Sequence, residues 1–508
     1  MSEKKLVNIP FNRVEGDLEI RVEMDGGVVS DAWCSGTMYR GFEKILIGRG
    51  ALDGLVITPR ICGICSTAHL TAAALALDMV AGINPPPDAT RIRNIVLMTE
   101  HIQSDIRHAF LMFAPDFLNT IHKDCVLYDE AGYRYEPFKG KTSVEVIKET
   151  KNVLEIIAII GGQWPHSSYM VPGGIVSVPS VSDLMQCQLI LRKYRQWYER
   201  KILGCTIERW ESIKNAADLQ TWLEESKEHW KSDLGFFIRF ARAVGLDKIG
   251  RGHGSFIAYG YPGSKEIEQS QSIPSAGFAT IKEKYIFDQS KIAEEVDYSW
   301  FQDYKDGKHP FEGETHPYAS GKEGKKYSWG KAPRYDGFPV ETGPMAEMII
   351  NQSPLFTDIM TRNGPSAFLR EMARLVRPTI LIPIMEKYLE ETVGDGKFYI
   401  APESIIEGRG FGLTQAGRGC LGHWVEITNG SISHYQIITP TAWNASPRDS
   451  KGIRGPIEEA LTGTEVKDIE NPVELGHIIR SFDPCLVCTV HAVKKGQTSE
   501  PFRWRLTL

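Results

Sequence analysis

Four cysteines near opposite ends of the chain form two C-x-x-C pairs, Cys62 with Cys65 and Cys485 with Cys488, and no other feature constrains the fold as much. Within each pair a single turn can aim both sulfurs at one ion. Four thiolates are a soft ligand set, suited to zinc, iron or nickel and poorly suited to magnesium or calcium. From Cys65 to Cys485 the chain runs 420 residues, whereas structural zinc knuckles close over short spans. A site uniting the pairs must therefore be assembled by the whole fold. A thioredoxin-like redox motif fits less well, because neither pair follows a recognisable strand in a small βαβ unit. On the residues alone, a structural zinc or a rubredoxin-like iron stays open.

Length and composition narrow the class. The 508 residues are 42% hydrophobic and 24% charged, which fits a globular chain and excludes a disordered one. A net charge of −6 with scattered basic residues argues against nucleic acid as a partner. No apolar run is long enough to span a bilayer. Met1-Ser-Glu-Lys-Lys leads into a mixed segment with Pro10, Asn12 and Arg13, not an apolar leader. The expectation is a cytoplasmic chain, held at the inner face of the cell membrane only through partners. The remaining five cysteines (Cys34, Cys125, Cys187, Cys205, Cys420) are too scattered for a disulfide framework and read as buried or partly buried thiols.

Hydrophobic periodicity predicts a mainly helical α+β fold. Asp17–Met24 and Val28–Cys34, joined at Gly26-Gly27, read as a β-hairpin. Ser66–Val80, Ile92–Phe113, Val181–Leu203 (with Ser182 as N-cap), Leu219–Val244 and Ala367–Leu389 read as helices. The stretch from Gly250 to Gly337 reads as irregular structure and short strands over the surface. Asn429-Gly430 between two alternating runs predicts a second hairpin, His423–Ile427 with Ser431–Ile438. No repeat and no flexible linker divides the chain. The expectation is one large domain over 1–491, with a helical core and peripheral β-hairpins.

Arg60-Ile-Cys-Gly-Ile-Cys65 with His69 four residues on, and Asp483-Pro-Cys-Leu-Val-Cys488 with His491 three residues on, resemble the paired end-motifs of nickel–iron hydrogenase large subunits, most closely the uptake group. Intermediate signatures fall in the expected order: Arg13-Val-Glu-Gly16, Arg40-Gly-Phe-Glu43, Arg418–Trp424, and Pro440–Asn444 with Ser446-Pro-Arg-Asp449.

This resemblance implies the fold of those subunits and a set of roles. Cys62, Cys65, Cys485 and Cys488 would bind nickel, and Cys65 and Cys488 would bridge to an iron carrying carbon monoxide and two cyanides. His69, one helical turn after Cys65, would hydrogen-bond to a bridging sulfur. Arg418 would overhang the open metal position, with Asp483 holding its guanidinium still. Here Gly417 stands where the family usually has a proline. Thr441 would hydrogen-bond a cyanide, and Glu15 would relay protons from a nickel-bound thiolate. Asp105 is placed as a further acid near Arg418, although its spacing departs by about one residue. Glu43, the Ile437 carbonyl and His491 would hold a magnesium ion. Taken singly, each acid would read as a solvated or capping carboxylate.

The activity so implied is reversible heterolytic cleavage of H2 to protons and electrons, in the direction of H2 uptake. The remaining cysteines form no cluster-binding run, so the electrons would leave through iron–sulfur clusters in a small partner subunit, toward a quinone or another acceptor. The resemblance also implies a maturation chaperone and an endopeptidase that removes residues 492–508, and it allows higher oligomers of the heterodimer. That extension disfavours a hydrogen-sensing regulatory subunit. A zinc-stapled, non-catalytic scaffold is the other alternative.

Overall fold

The computed structural model describes residues 5–263, 274–319, 324–392, 394 and 396–486, and in it the two ends of the chain are built into one another. Lys5–Phe11, Leu18–Asp25 and Val28–Gly36 form an antiparallel three-stranded sheet. Along its middle strand Leu18, Ile20, Val22 and Met24 are buried and alternate with less buried residues, the period-2 pattern of a sheet with one covered face. That face packs on Ile457, Leu461, Leu475, Ile478, Ile479 and Phe482 from near the C-terminus. Each fully buried aliphatic side chain there contributes roughly 1.5–3 kcal/mol. The backbone continues the join, since Glu15 N–H donates to the Pro484 carbonyl (3.4 Å) and Leu486 N–H donates to the Glu15 carbonyl (2.6 Å).

The second organising unit is the helix Ser66–Val80 laid on a sheet of Gly408–Ala416, Gly419–Thr428 and Ser431–Ile438. The helix is buried on nearly every side and rich in alanine. The strand facing it carries Gly410 and Gly412, where an added Cβ would lie 2.2 Å from the Ala76 carbonyl oxygen and 1.9 Å from that of Ala72. Only glycine lets helix and strand backbones approach so closely. The hairpin turn at Asn429-Gly430 has φ of 49° and 74°, as a two-residue turn with both centres left-handed requires. Gly408–Ala416 adds a third strand beside that hairpin.

Several helices differ from the sequence expectation. The helix expected over Ile92–Phe113 begins at Pro87, where proline serves at the first helical position, and ends at Arg107 before a π turn, His108–Phe113. Val181–Tyr198 is capped by Ser180, not Ser182. The Ser180 hydroxyl accepts from Asp183 N–H and the Asp183 carboxylate accepts from Ser180 N–H. The stretch Leu219–Val244 is three helices, Ala216–Glu225, Lys227–Lys231 and Asp233–Val244, because Ser226 and Ser232 each cap a new start. Ala367–Leu389 is two, Ala367–Val376 and Pro378–Glu391, since Pro378 cannot donate its backbone nitrogen.

The stretch from Gly250 to Gly337 does hold short strands, but they are not confined to the surface. Ile257, Tyr259, Phe278, Ile292 and Tyr335 form a core with Trp424, Ile438 and Trp443. Of the scattered cysteines, Cys34, Cys187 and Cys420 are buried, Cys125 and Cys205 are half-buried, and none of the five forms a disulfide. Among the described residues no helix is long and apolar enough to cross a membrane.

Candidate metal centre

Both ends of the chain deliver sulfur to one point. Cys62 follows a short 3-10 turn, Thr58–Arg60, and Cys65 is the N-cap residue of the helix Ser66–Val80. The loop between is clamped by Arg40, which donates to the carbonyls of Ile61 (2.6 Å) and Arg60 (2.9 Å). From the other end comes Cys485, whose N–H donates to the Thr441 hydroxyl (2.8 Å). The sulfurs of Cys62, Cys65 and Cys485 all lie within 4.8 Å of one another, with 3.6 Å between Cys62 and Cys485. Metal–sulfur bonds of about 2.3 Å permit a shared ion at such separations. Cys488 lies outside the described residues, as does His491.

Beside the sulfurs is a small cavity of about 10 Å³, lined by Cys65, His69, Arg418, Thr441 and Cys485 together with Ala416, Leu421 and Pro440. Arg418 is buried and its Nε lies 3.0 Å from Asp483 Oδ1. Its Nη1 has no hydrogen-bond partner among the described residues. Burial opposes the Arg418 charge, yet Asp483 and the sulfurs of Cys485, Cys65 and Cys62 push its pKa well above the ordinary value. Burial likewise raises Asp483, but Arg418, His108 and Arg374 together hold its carboxyl far below the usual range. Asp483 adopts a left-handed φ of 52° just before Pro484, a conformation that Asp tolerates better than most residues. His108 Nδ1 (3.0 Å) and Arg374 Nη1 (3.3 Å) complete its setting.

Asp105 goes elsewhere. Arg377 grips both its oxygens (2.8 Å each) and donates to the Gly417 carbonyl (2.7 Å), so Asp105 braces the loop before Arg418 and does not touch it. The residue of that turn beside Gly417 is Ser104, whose Oγ would lie 3.2 Å from a Cβ added there. One step of helix separates the two positions.

Glu15 is half-buried. Burial raises its pKa, Arg418 lowers it, and Cys62 and Asp483 raise it further, which places the carboxyl within electrostatic reach of sulfur and guanidinium alike. His69 Nδ1 lies 3.1 Å from His423 Nε2, and burial brings the His69 pKa down to about 4. Glu43 Oε1 accepts from the Ile437 N–H (2.9 Å), so this contact runs through the amide and not the carbonyl. Lys331 Nζ stands 3.8 Å from Glu43 and 3.5 Å from Glu294, whose pKa burial raises to about 7.

Sequence reasoning missed His108, Arg374, Glu371 and Glu100. All four lie on helical segments, where a charged residue ordinarily signals a solvated face. Glu100 accepts from Thr67 N–H (2.9 Å) and Ala68 N–H (3.2 Å), stabilising the helix start just after Cys65.

A model of the nickel-dependent hydrogenase family matches residues 40–129 and 141–491. The chain is 31% identical to the periplasmic [NiFeSe] hydrogenase large subunit of Desulfomicrobium baculatum, over 97% of this chain and 95% of that one. It is 28% identical to the uptake hydrogenase large subunit of Rhodobacter capsulatus, over 96% and 95%. Among solved structures, the reduced Ni-Fe-Se hydrogenase of D. vulgaris Hildenborough superposes with a TM-score of 0.81 at 29% identity, covering 96% of this chain and all of that one.

Proposed function

Since the chain belongs to the nickel-dependent hydrogenase family as a large, catalytic subunit, we propose that it takes up H2 and splits it heterolytically into two protons and two electrons. The observation that carries this reading is the meeting of three buried thiols from opposite ends of the chain beneath a buried arginine. The donor set fits a nickel–iron group. The thiols are soft ligands, and the adjoining cavity pairs apolar walls with the Thr441 hydroxyl and the unpartnered Arg418 Nη1, a setting suited to small diatomic ligands on iron. Cys62, Cys65, Cys485 and Cys488 would hold the group. When bound, it supplies the Lewis-acid and redox chemistry that polarises H2 and takes its electron pair.

The chain's own residues do the rest. Asp483 keeps the Arg418 guanidinium fixed over the cavity, where a preorganised charge acts in a water-poor setting. Glu15, its pKa raised by burial, receives a proton from the neighbourhood of Cys62 and passes it outward. His69 hydrogen-bonds to a cysteine sulfur. Among the described residues the only group of three metal-ligating side chains is Cys62, Cys65 and Cys485, so the electrons leave through iron–sulfur clusters of a small subunit. That partner is supported by the two relatives described, both of which are named large subunits.

Glu43, the Ile437 carbonyl and His491 would hold magnesium. In support, two carboxylates, Glu43 and Glu294, flank the Lys331 ammonium. The extension 492–508, outside the described residues, is removed after His491, and the mature subunit's intact mass reads that directly.

The test is H2-dependent reduction of an artificial electron acceptor by the purified heterodimer. Turnover that disappears in Cys62→Ser supports the reading. An inactive wild-type heterodimer with zinc on its cysteines overturns it.

A further inference from the structure

Two imidazoles and a phenol run in file from the thiol cavity into the adjoining sheet. His69 Nδ1 lies 3.1 Å from His423 Nε2, and His423 Nδ1 lies 2.9 Å from the Tyr435 hydroxyl. All three residues are buried. The register explains how they meet. His423 pairs with Gly412 on one side and Ile437 on the other, and the bare Gly412 lets the helix bearing His69 settle directly on the sheet. At 3.1 Å the facing imidazole nitrogens hold one proton between them, and at 2.9 Å His423 Nδ1 and the Tyr435 oxygen likewise share one.

A chain of this kind has two proton arrangements. In one, Tyr435 O–H donates to His423 Nδ1 and His423 Nε2–H donates to His69 Nδ1. His69 then carries its proton on Nε2, the nitrogen left for the cavity it shares with Cys65 and Cys485. In the other, each bond is reversed. His69 would then offer a lone pair to the sulfurs, and the Tyr435 proton would be buried with no acceptor among the described residues. Both consequences are unfavourable.

We propose that Tyr435 is a positioning residue that acts through His423 to fix His69 in the tautomer donating Nε2–H to the cysteine sulfurs. This rests on the reading of the metal centre given above. The ordering of hydrogen bonds around a ligand set commonly tunes the metal it holds. A hydrogen bond into a thiolate draws electron density from sulfur and hence from the metals. Its loss leaves the iron richer in electrons and weakens an iron-bound CO bond.

The test is the infrared spectrum of the holoenzyme, with its small subunit, for wild type, Tyr435→Phe and His69→Phe. The expected result is a CO band displaced to lower wavenumber in Tyr435→Phe, in the same direction as in His69→Phe. A Tyr435→Phe band at the wild-type position, whether or not His69→Phe shifts, overturns the inference and leaves the metal centre standing. Absence of CO and CN bands from the wild type overturns the metal centre itself, and the inference with it. Should Tyr435→Phe fail to mature, His423→Gln and His423→Leu carry the same test. Gln can accept from Tyr435 and donate to His69, whereas Leu can do neither. A wild-type band in the first and a displaced band in the second support the inference, and equal bands overturn it.

Discussion

Arg418 Nε and Asp483 Oδ1 are 3.0 Å apart with both side chains buried, so the guanidinium over the thiol cavity is held by a carboxylate two residues before Cys485. The sulfur that would bind metal and the acid that aims the arginine thus arrive on one short segment. Arg418→Lys and Asp483→Asn should each lower H2-oxidation turnover by about 10²-fold or more, the usual effect of removing one preorganised charge. Nickel content should stay near that of the wild type. Steady-state assays beside elemental analysis read both quantities, and activity that merely follows nickel loss would contradict the positioning role.

Glu15 gives a pH prediction. Burial raises its pKa and Arg418 lowers it, and the carboxylate form is the one that accepts a proton. Activity should therefore fall on the acid side as pH drops through the raised value. In Arg418→Gln the lowering contribution is gone, so the acid limb should move to higher pH. Glu15→Gln should cost roughly 10²–10⁴-fold in turnover at every pH. Profiles of kcat against pH for the three proteins decide it, and an unmoved limb would count against Glu15 as the acceptor.

Glu371 is wholly buried beside Arg374, and neither carboxyl oxygen has a hydrogen-bond partner among the described residues. Burial, opposed by Arg374, raises its pKa from 4.5 to about 8. The folded state thus holds this proton more tightly than the unfolded state does. The stability it confers is complete below about pH 4.5 and is lost as pH rises through about 8. Glu371→Gln should remove that loss, so its Tm should decline less than the wild type's between about pH 5 and about pH 8.5. Parallel slopes would show that Glu371 is already ionised in the fold.

Gly412 tests the seam between helix and sheet. A Cβ there would sit 1.9 Å from the Ala72 carbonyl oxygen, which backbone must move to relieve. Gly412→Ala should cost about 1–3 kcal/mol or more, as overpacking typically does. It should also reduce nickel loading, because the displaced helix carries Cys65 and His69. Thermal unfolding and metal analysis check the two halves, and a fully loaded variant with unchanged Tm would contradict the packing.

Features with a strong local cause were legible in the sequence. Asn429-Gly430 specified its hairpin, and the alanine run after Cys65 gave the helix Ser66–Val80. Helix interruptions were less legible, because Ser226, Ser232 and Pro378 stand inside patterns that read as continuous. The strand Gly408–Ala416 was missed because the glycines that let it touch the helix remove the alternation that marks a strand. At the site, the motifs pointed to Arg418, Asp483 and the cysteines. Asp105 was displaced by one helical step, which turned it toward Arg377. The buried charges of Ala367–Val376 were invisible, since Arg370, Glu371 and Arg374 resemble a solvated face until partners from distant segments enclose them.

The central claim, that the two ends of the chain hold a nickel–iron group, is tested most directly by the infrared spectrum of the purified wild-type heterodimer in the region of metal-bound CO and CN stretches. Sharp CO and CN bands are expected, in a region where no ordinary protein group absorbs. A mature heterodimer with no such bands would contradict it.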